Sequence, residues 1–142
     1  TLGLDMLKGF LPILYGLSRF DSPVIILCGG AAAIVGHLFP IYIKGRGGKG
    51  ISTFLGMCTA YYFPSALVFG AIFLLTYRLT RYVSAASIAG VTAVFFVTLF
   101  TGVMETSMIM LGIVVLIIFK HRGNIERMMS GTESQLSWKK NE

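Results

Sequence analysis

Five apolar runs, at Leu2–Leu17, Pro23–Phe39, Ile51–Tyr77, Ser84–Phe100 and Thr106–Phe119, take up most of this chain. They leave too little polar sequence to cover a water-soluble core. Charged residues make up 13% of the 142 positions, against about a quarter in an ordinary soluble domain. Mean hydropathy is +0.79. A domain of this size leaves a large share of its surface exposed, so its apolar excess needs lipid as the solvent. Inside a bilayer every backbone polar group must be satisfied within the protein, and helices do this segment by segment. The expectation is an all-α, polytopic transmembrane helix bundle forming a single integral membrane domain over residues 1–142.

The runs are mostly shorter than the roughly 20 residues that span a full hydrocarbon core, a mismatch that local thinning of the bilayer can absorb. Ile51–Tyr77 decides the topology. As one helix it would place Lys44, Arg46 and Lys49 across the membrane from Arg78 and Arg81, and the C-terminal basic group (Lys120, Arg122, Arg127, Lys139 and Lys140) would also fall opposite the first. Both placements run against the positive-inside tendency. Pro64, beside Tyr61, Tyr62 and Phe63, offers a turn, because the residue before a proline is pushed out of helical geometry. Two short helices, about Gly50–Tyr62 and Pro64–Tyr77, then go out and return. This gives about six short spans with both ends inside, the basic groups on the cytoplasmic face, and Arg19, Asp21 and Glu105 outside. A single kinked helix is the alternative.

The polar residues inside or beside these runs fall into clusters. Asp5 and Lys8, three apart, share a helix face, either as an ion pair at a helix start or as functional groups at membrane depth. Gly36-His37-Leu38-Phe39-Pro40 leads into Lys44-Gly45-Arg46-Gly47-Gly48-Lys49-Gly50. Glycines there let backbone N–H groups turn toward an anion, and the next helix start adds its dipole. With Ser52 and Thr53 following, the pattern suits a phosphate cradle, though not a Walker A loop, since Gly50 follows Lys49. The competing reading is a basic loop obeying positive-inside. After the last run, His121, Asn124 and Arg127 are three apart and share a face on a helix continuing past the membrane, with Thr132 and Glu133 beyond; a solvated tail is the alternative. Arg81, Ser84 and Ser87 form a weaker fourth group. Two histidines and two cysteines in apolar stretches make neither a zinc site nor a disulfide framework. No basic and aromatic patch suits nucleic acid.

These motifs stand in an order that resembles a known family. Asp5-Met6-Leu7-Lys8-Gly9, Gly36-His37-Leu38-Phe39-Pro40 with Gly47-Gly48-Lys49-Gly50-Ile51-Ser52-Thr53, Arg81-Tyr82-Val83-Ser84-Ala85-Ala86-Ser87, and His121-Arg122-Gly123-Asn124-Ile125-Glu126-Arg127 with Gly131-Thr132-Glu133 are similar to the bacterial acyl-phosphate-dependent glycerol-3-phosphate acyltransferases, the PlsY family. The resemblance implies a seven-helix, multi-pass enzyme of the bacterial inner membrane whose motifs meet on the cytoplasmic side. It implies transfer of a fatty acyl group from acyl phosphate to the 1-hydroxyl of glycerol 3-phosphate, giving lysophosphatidic acid and inorganic phosphate. The direct donor in that family is neither coenzyme A nor acyl-carrier protein, and no metal or other cofactor is expected. The family also has a helix and a Ser-Gly-Asn-x-Gly-Ala-Thr-Asn loop ahead of the Asp-x-x-Lys-Gly segment, where this sequence has only Thr1 to Leu4. A fragment of a longer protein or a shortened relative is therefore expected. Gly45-Arg46 stands where aromatic-Lys is common.

On this footing Gly47, Gly48, Lys49 and Ser52 are expected to cradle a phosphate, with Arg46 and Arg127 adding charge. Asn124 positions the polyol, and His37 or His121 donates a hydrogen bond or moves the proton. Lys8, Arg81 and Glu133 join the substrate-binding set, and the acyl chain enters laterally between helices from the bilayer. The readings from other classes are a small transporter or channel subunit with an anion site on broken helices, and a non-catalytic membrane scaffold.

Overall fold

A computed structural model describes residues 2–40 and 48–135. Among the described residues the chain is wholly helical, in the order α1 (Leu2–Arg19), α2 (Pro23–Leu38), α3 (Ile51–Tyr61), α4 (Phe63–Thr80), α5 (Val83–Thr101), α6 (Met104–Lys120) and α7 (Arg122–Met129). α4 and α5 are long and apolar enough to cross a membrane alone, and α6 with α7 reaches that length as a bent pair. α2 and α3 are apolar but shorter. At 1.5 Å per residue the 11-residue α3 rises only about 16 Å, so it crosses a bilayer only where neighbours and local thinning help.

The break foreseen at Pro64 is present. Pro64 occupies the first turn of α4, where its missing N–H is no loss, and Tyr62 is the extended hinge between α3 and α4. The chain folds back there: the rings of Phe54 and Phe69, on either side of the hinge, lie 6.2 Å apart, which collinear helices would forbid. α1 and α2 form a second antiparallel hairpin. Gly16 packs on Ile26, Ile13 on Gly30, and Asp5 approaches His37. α5 and α6 make a third, joined by the Ser107 hydroxyl donating to the Thr98 carbonyl at 3.1 Å.

Helix ends therefore sort into two sets. Leu2, His37, Ile51, Val83 and His121 gather at one end of the bundle. Leu17, Pro23, Tyr61, Ser65, Thr101 and Thr106 gather at the other. The core between them holds Ile13, Leu27, Ile34, Phe54, Met57, Val91, Val94 and Ile117, each fully buried. α1 and α3 approach closest. A Cβ on Gly9 would run into the Thr53 carbonyl, and one on Gly56 into the Met6 carbonyl. Glycine at both positions lets the backbones touch, the small-residue packing that joins helices in lipid.

One expectation needs correcting. The last span does not run on as one helix carrying His121, Asn124 and Arg127. α6 and α7 meet at a 55° bend with His121 at the joint. The His121 amide donates to both the Ile117 and Ile118 carbonyls, a tightened last turn that ends α6. Both cysteines are free: Cys58 is buried as expected of an apolar stretch, whereas Cys28 is exposed.

Candidate functional site

A cleft of about 530 Å³ opens at the end where the motifs gather. Its walls come from every helix except α6 proper. Asp5 of α1, His37 of α2 and Gly48 to Ser52 at the start of α3 line one side. Ser84 and Ser87 of α5, His121 at the α6–α7 bend, Asn124 of α7 and Glu133 beyond it line the other. Phe73 and Val83 supply apolar wall.

The α3 start has the groups that can receive an anion. Phe54 donates the first helical hydrogen bond, to the Gly50 carbonyl at 2.8 Å, so the amides of Ile51, Ser52 and Thr53 have no intrahelical acceptor. Gly50 has φ +80°, and a Cβ there would also press on Leu38 Cδ2 at 2.9 Å. Any other residue would be both strained and crowded. Lys49 adds a full charge beside this helix end. The Lys120 ammonium lies 4.4 Å above the Phe39 ring, fixing the end of α2 against α6 beside the cleft.

His37 stands between Asp5 and Gly48. Its Nδ1 is 3.5 Å from Asp5 Oδ1, and its Nε2 faces Gly48 so closely that a Cβ there would overlap it. A carboxylate at Nδ1 favours the tautomer protonated there and leaves the Nε2 lone pair toward the cleft. Asp5 Oδ1 also accepts from Lys8 Nζ at 2.8 Å.

His121 is 1% exposed. Its Nδ1 lies 2.8 Å from the Ile117 carbonyl, which can only accept, so Nδ1 carries the proton and Nε2 is the ring's remaining acceptor. Burial, more than any other influence, pushes its imidazole below the ordinary histidine range, so the ring is neutral at neutral pH. The backbone carbonyl of Ile117 and the Glu133 carboxylate oppose that shift; Lys49 adds to it.

Glu133 ties the far wall together. Its Oε1 accepts from Asn124 Nδ2 at 2.6 Å and from the Ser84 hydroxyl at 2.9 Å, and its Oε2 accepts from Arg127 Nε at 2.7 Å. The Asn124 hydrogen bond, followed by those of Ser84 and Arg127, holds the carboxyl at about 2. With its amide N–H turned to Glu133, Asn124 keeps its carbonyl oxygen for a hydroxyl donor.

Of the residues singled out from sequence, His37, Gly48, Lys49, Ser52, His121, Asn124 and Glu133 meet in the cleft. Lys8 and Arg127 stand one contact back, paired to Asp5 and Glu133. Arg81 caps α4 in the left-handed region at φ 64°, exposed, and is not among the lining residues. Arg46 and Gly47 lie outside the described residues. The pairing of Asp5 with His37 was not foreseen. Its signal was the hairpin itself: one lies near the start of α1 and the other near the end of α2, so an antiparallel turn brings them level.

A family model for glycerol-3-phosphate acyltransferase matches residues 1–131. A glycerol-3-phosphate acyltransferase of Brucella anthropi is 39% identical over 139 residues, covering 98% of this chain and 68% of the relative. One from Bartonella quintana is 37% identical, covering 96% and 66%. One from Legionella pneumophila (strain Corby) is 34% identical over 95% of this chain and 49% of its own length. The chain thus spans about two thirds of the first two relatives and about half of the third. Two crystal structures of PlsY, an integral membrane glycerol 3-phosphate acyltransferase, superpose with TM-scores of 0.90 at 34% identity. The lysophosphatidic acid form matches 96% of this chain and 70% of that one, and the glycerol 3-phosphate form 96% and 69%.

Proposed function

The chain belongs to the glycerol-3-phosphate acyltransferase family, and from that premise we propose that its cleft transfers a fatty acyl group from acyl phosphate to the 1-hydroxyl of glycerol 3-phosphate, at the cytoplasmic face of a bacterial inner membrane. The products are lysophosphatidic acid, the entry to phospholipid synthesis, and inorganic phosphate. One observation carries the reading: an α3 helix start with Lys49 opens into the same cleft as two histidines, each with one ring nitrogen engaged.

The chemistry asks for placement more than for activation. Acyl phosphate is a mixed anhydride with a good leaving group, and both substrates are anions. Two unit charges 4 Å apart repel by about 1 kcal/mol in water and about 4 at an effective dielectric of 20, so the cleft must supply cations and oriented amides. Lys49, the free amides of Ile51 to Thr53 and the Ser52 hydroxyl hold a phosphate, and Arg46 and Gly47, which precede them in sequence and lie outside the described residues, are assigned to the same role. The Asn124 carbonyl and His121 Nε2 accept from polyol hydroxyls. The 1-hydroxyl oxygen then attacks the acyl carbonyl carbon, the new C–O ester bond forms, and the bond from carbon to the phosphate oxygen breaks. Phosphate leaves with its charge held by the cradle. His37 Nε2 takes the hydroxyl proton, and Asp5 balances the imidazolium, as a carboxylate does in a catalytic triad. Lys8 and Arg127 hold these groups in place through Asp5 and Glu133. Two reactants fixed this way gain the advantage of a high effective concentration without a covalent intermediate.

The deciding assay is release of phosphate from palmitoyl phosphate by the chain in lipid nanodiscs. The reading expects release that depends on glycerol 3-phosphate and yields lysophosphatidic acid in equal amount. Release independent of glycerol 3-phosphate, or none from a folded protein, would overturn it.

A further inference from the structure

A second cavity, of about 540 Å³, opens at the end of the bundle away from the acyltransferase cleft, and the two share no described lining residue. We propose that it binds an uncharged aliphatic alcohol, its hydroxyl seated among Ser65, Thr98 and Thr106 and its hydrocarbon against Met57 and Met110.

Three helices each bring a buried hydroxyl to this cavity: Ser65 of α4 at 4% exposed, Thr98 of α5 at 8% and Thr106 of α6 at 3%. Thr98 Oγ1 donates to the Phe95 carbonyl at 2.7 Å and Thr106 Oγ1 to the Val103 carbonyl at 2.8 Å. Both have committed their protons to their own helices and offer the cavity lone pairs. Ser65 differs. Its backbone N–H is taken up by the Tyr62 carbonyl at 2.9 Å, but its side-chain hydroxyl has no hydrogen-bond partner among the described residues. A hydroxyl so deeply buried is costly to leave unpaired. Ser65 can therefore donate into the cavity where Thr98 and Thr106 can only accept. An alcohol answers both, because its one oxygen accepts from Ser65 while its proton goes to a threonine.

The same surroundings disfavour a charged head. Among the described lining residues Asp21 alone is charged at neutral pH, and it lies at the exposed rim with Tyr62 and Thr101. An ion drawn in among the buried hydroxyls would lose its hydration with no counter-charge beside it. Around those hydroxyls Ile26, Leu27, Met57 and Met110, none more than 5% exposed, make an apolar wall. Methionine suits an alkyl guest, because its flexible thioether adapts to irregular shapes. A largely apolar cavity with a few convergent polar groups has the make-up of a small-molecule site.

The test uses the intact chain in nanodiscs of zwitterionic lipid, with a photoreactive probe, 1-decanol carrying a mid-chain diazirine, and empty discs as the blank. Saturable labelling by one probe per chain is expected, mapped by mass spectrometry to the segments that carry Met57 and Met110. Excess 1-dodecanol should protect these segments. Dodecane, dodecyl sulfate and dodecyltrimethylammonium, each kept below the concentration that dissolves the discs, should protect them about tenfold less well. Ser65→Ala removes the free donor and should weaken labelling affinity about three- to tenfold, the loss of one hydrogen bond. Thr101→Phe, at an exposed lining position, should block the cavity and abolish labelling with helix content unchanged. Labelling that does not saturate or maps elsewhere, equal protection by dodecane or by either ion, or wild-type affinity in either variant would overturn the proposal.

Discussion

His37 and His121 face the same cleft but sit in different electrostatic settings. A carboxylate lies beside His37 Nδ1, so a proton gained at Nε2 has a counter-charge within reach; His121 has only a backbone carbonyl at Nδ1 and is buried. On the proposed mechanism this divides the labour: His37 is assigned the proton transfer, and His121 the role of a neutral hydrogen-bond acceptor. His37→Ala is accordingly expected to lower turnover roughly 10²–10⁴-fold in the phosphate-release assay, with the protein still folded. Near-normal turnover would remove His37 from that role. Glu133 makes a separate prediction. Its carboxyl, held at about 2 against an ordinary 4.5, contributes stability that is complete above pH 4.5 and is lost as pH falls toward 2. The Tm difference between wild type and Glu133→Gln should therefore be constant from pH 8 to 5 and shrink below that. Residue types alone marked most of these groups, because a histidine, an asparagine or a glutamate beside an apolar run demands an explanation. They could not mark partners. Glu133 reads as one acidic residue in a polar tail, and only the turn that ends α7, with Gly131 at φ +70° and the Glu133 amide donating to the Arg127 carbonyl, brings it back onto Asn124 and Arg127. Arg81 reads the same way as Lys49, yet it caps α4 and is not among the residues that line the cleft.

At the scale of elements, α3 is central to the proposed site, because its first turn carries the free amides and its flank is pinned to α1. That pinning rests on Gly9 and Gly56, where any side chain would strike the partner's backbone instead of a flexible side-chain tip. Gly9→Ala should therefore push α1 from α3 and cost about 1–3 kcal/mol, the usual range for overpacking, and should disturb Asp5 on the same helix. Gly70→Ala and Gly112→Ala, where a Cβ meets nothing within 4 Å, should leave stability unchanged or slightly improved. Reversible unfolding in mixed micelles, run on all three, checks the contrast. The break was legible because Pro64 disfavours helix just ahead of it and because two misplaced basic groups argued against a single span, though it falls at Tyr62 while Phe63, directly before the proline, opens α4. The 55° bend between α6 and α7 was not: no proline marks it, and the tightened turn at His121 comes from a local choice of hydrogen bonds. The α1–α3 contact was equally hidden, since a glycine in an apolar helix does not name the helix it touches.

For the molecule as a whole, alternation of helix direction is what makes one cleft from distant motifs. Hairpins α1–α2, α3–α4 and α5–α6 each return the chain to the same end, and the short α7 then folds over it. Lys49 thereby lines the cleft with Arg127 one contact behind it on Glu133, while Asp21 marks the other end. A transporter would need a path between the two ends, and the buried Phe54, Ile34 and Leu27 occupy the space between them. Membrane sidedness of single cysteines tests this arrangement most directly. In a chain with Cys28 and Cys58 replaced by alanine, Lys49→Cys and Arg127→Cys should both react with an impermeant maleimide from the cytoplasmic face alone, and Asp21→Cys from the opposite face alone. Labelling of positions 49 and 127 from different faces would contradict a shared cleft.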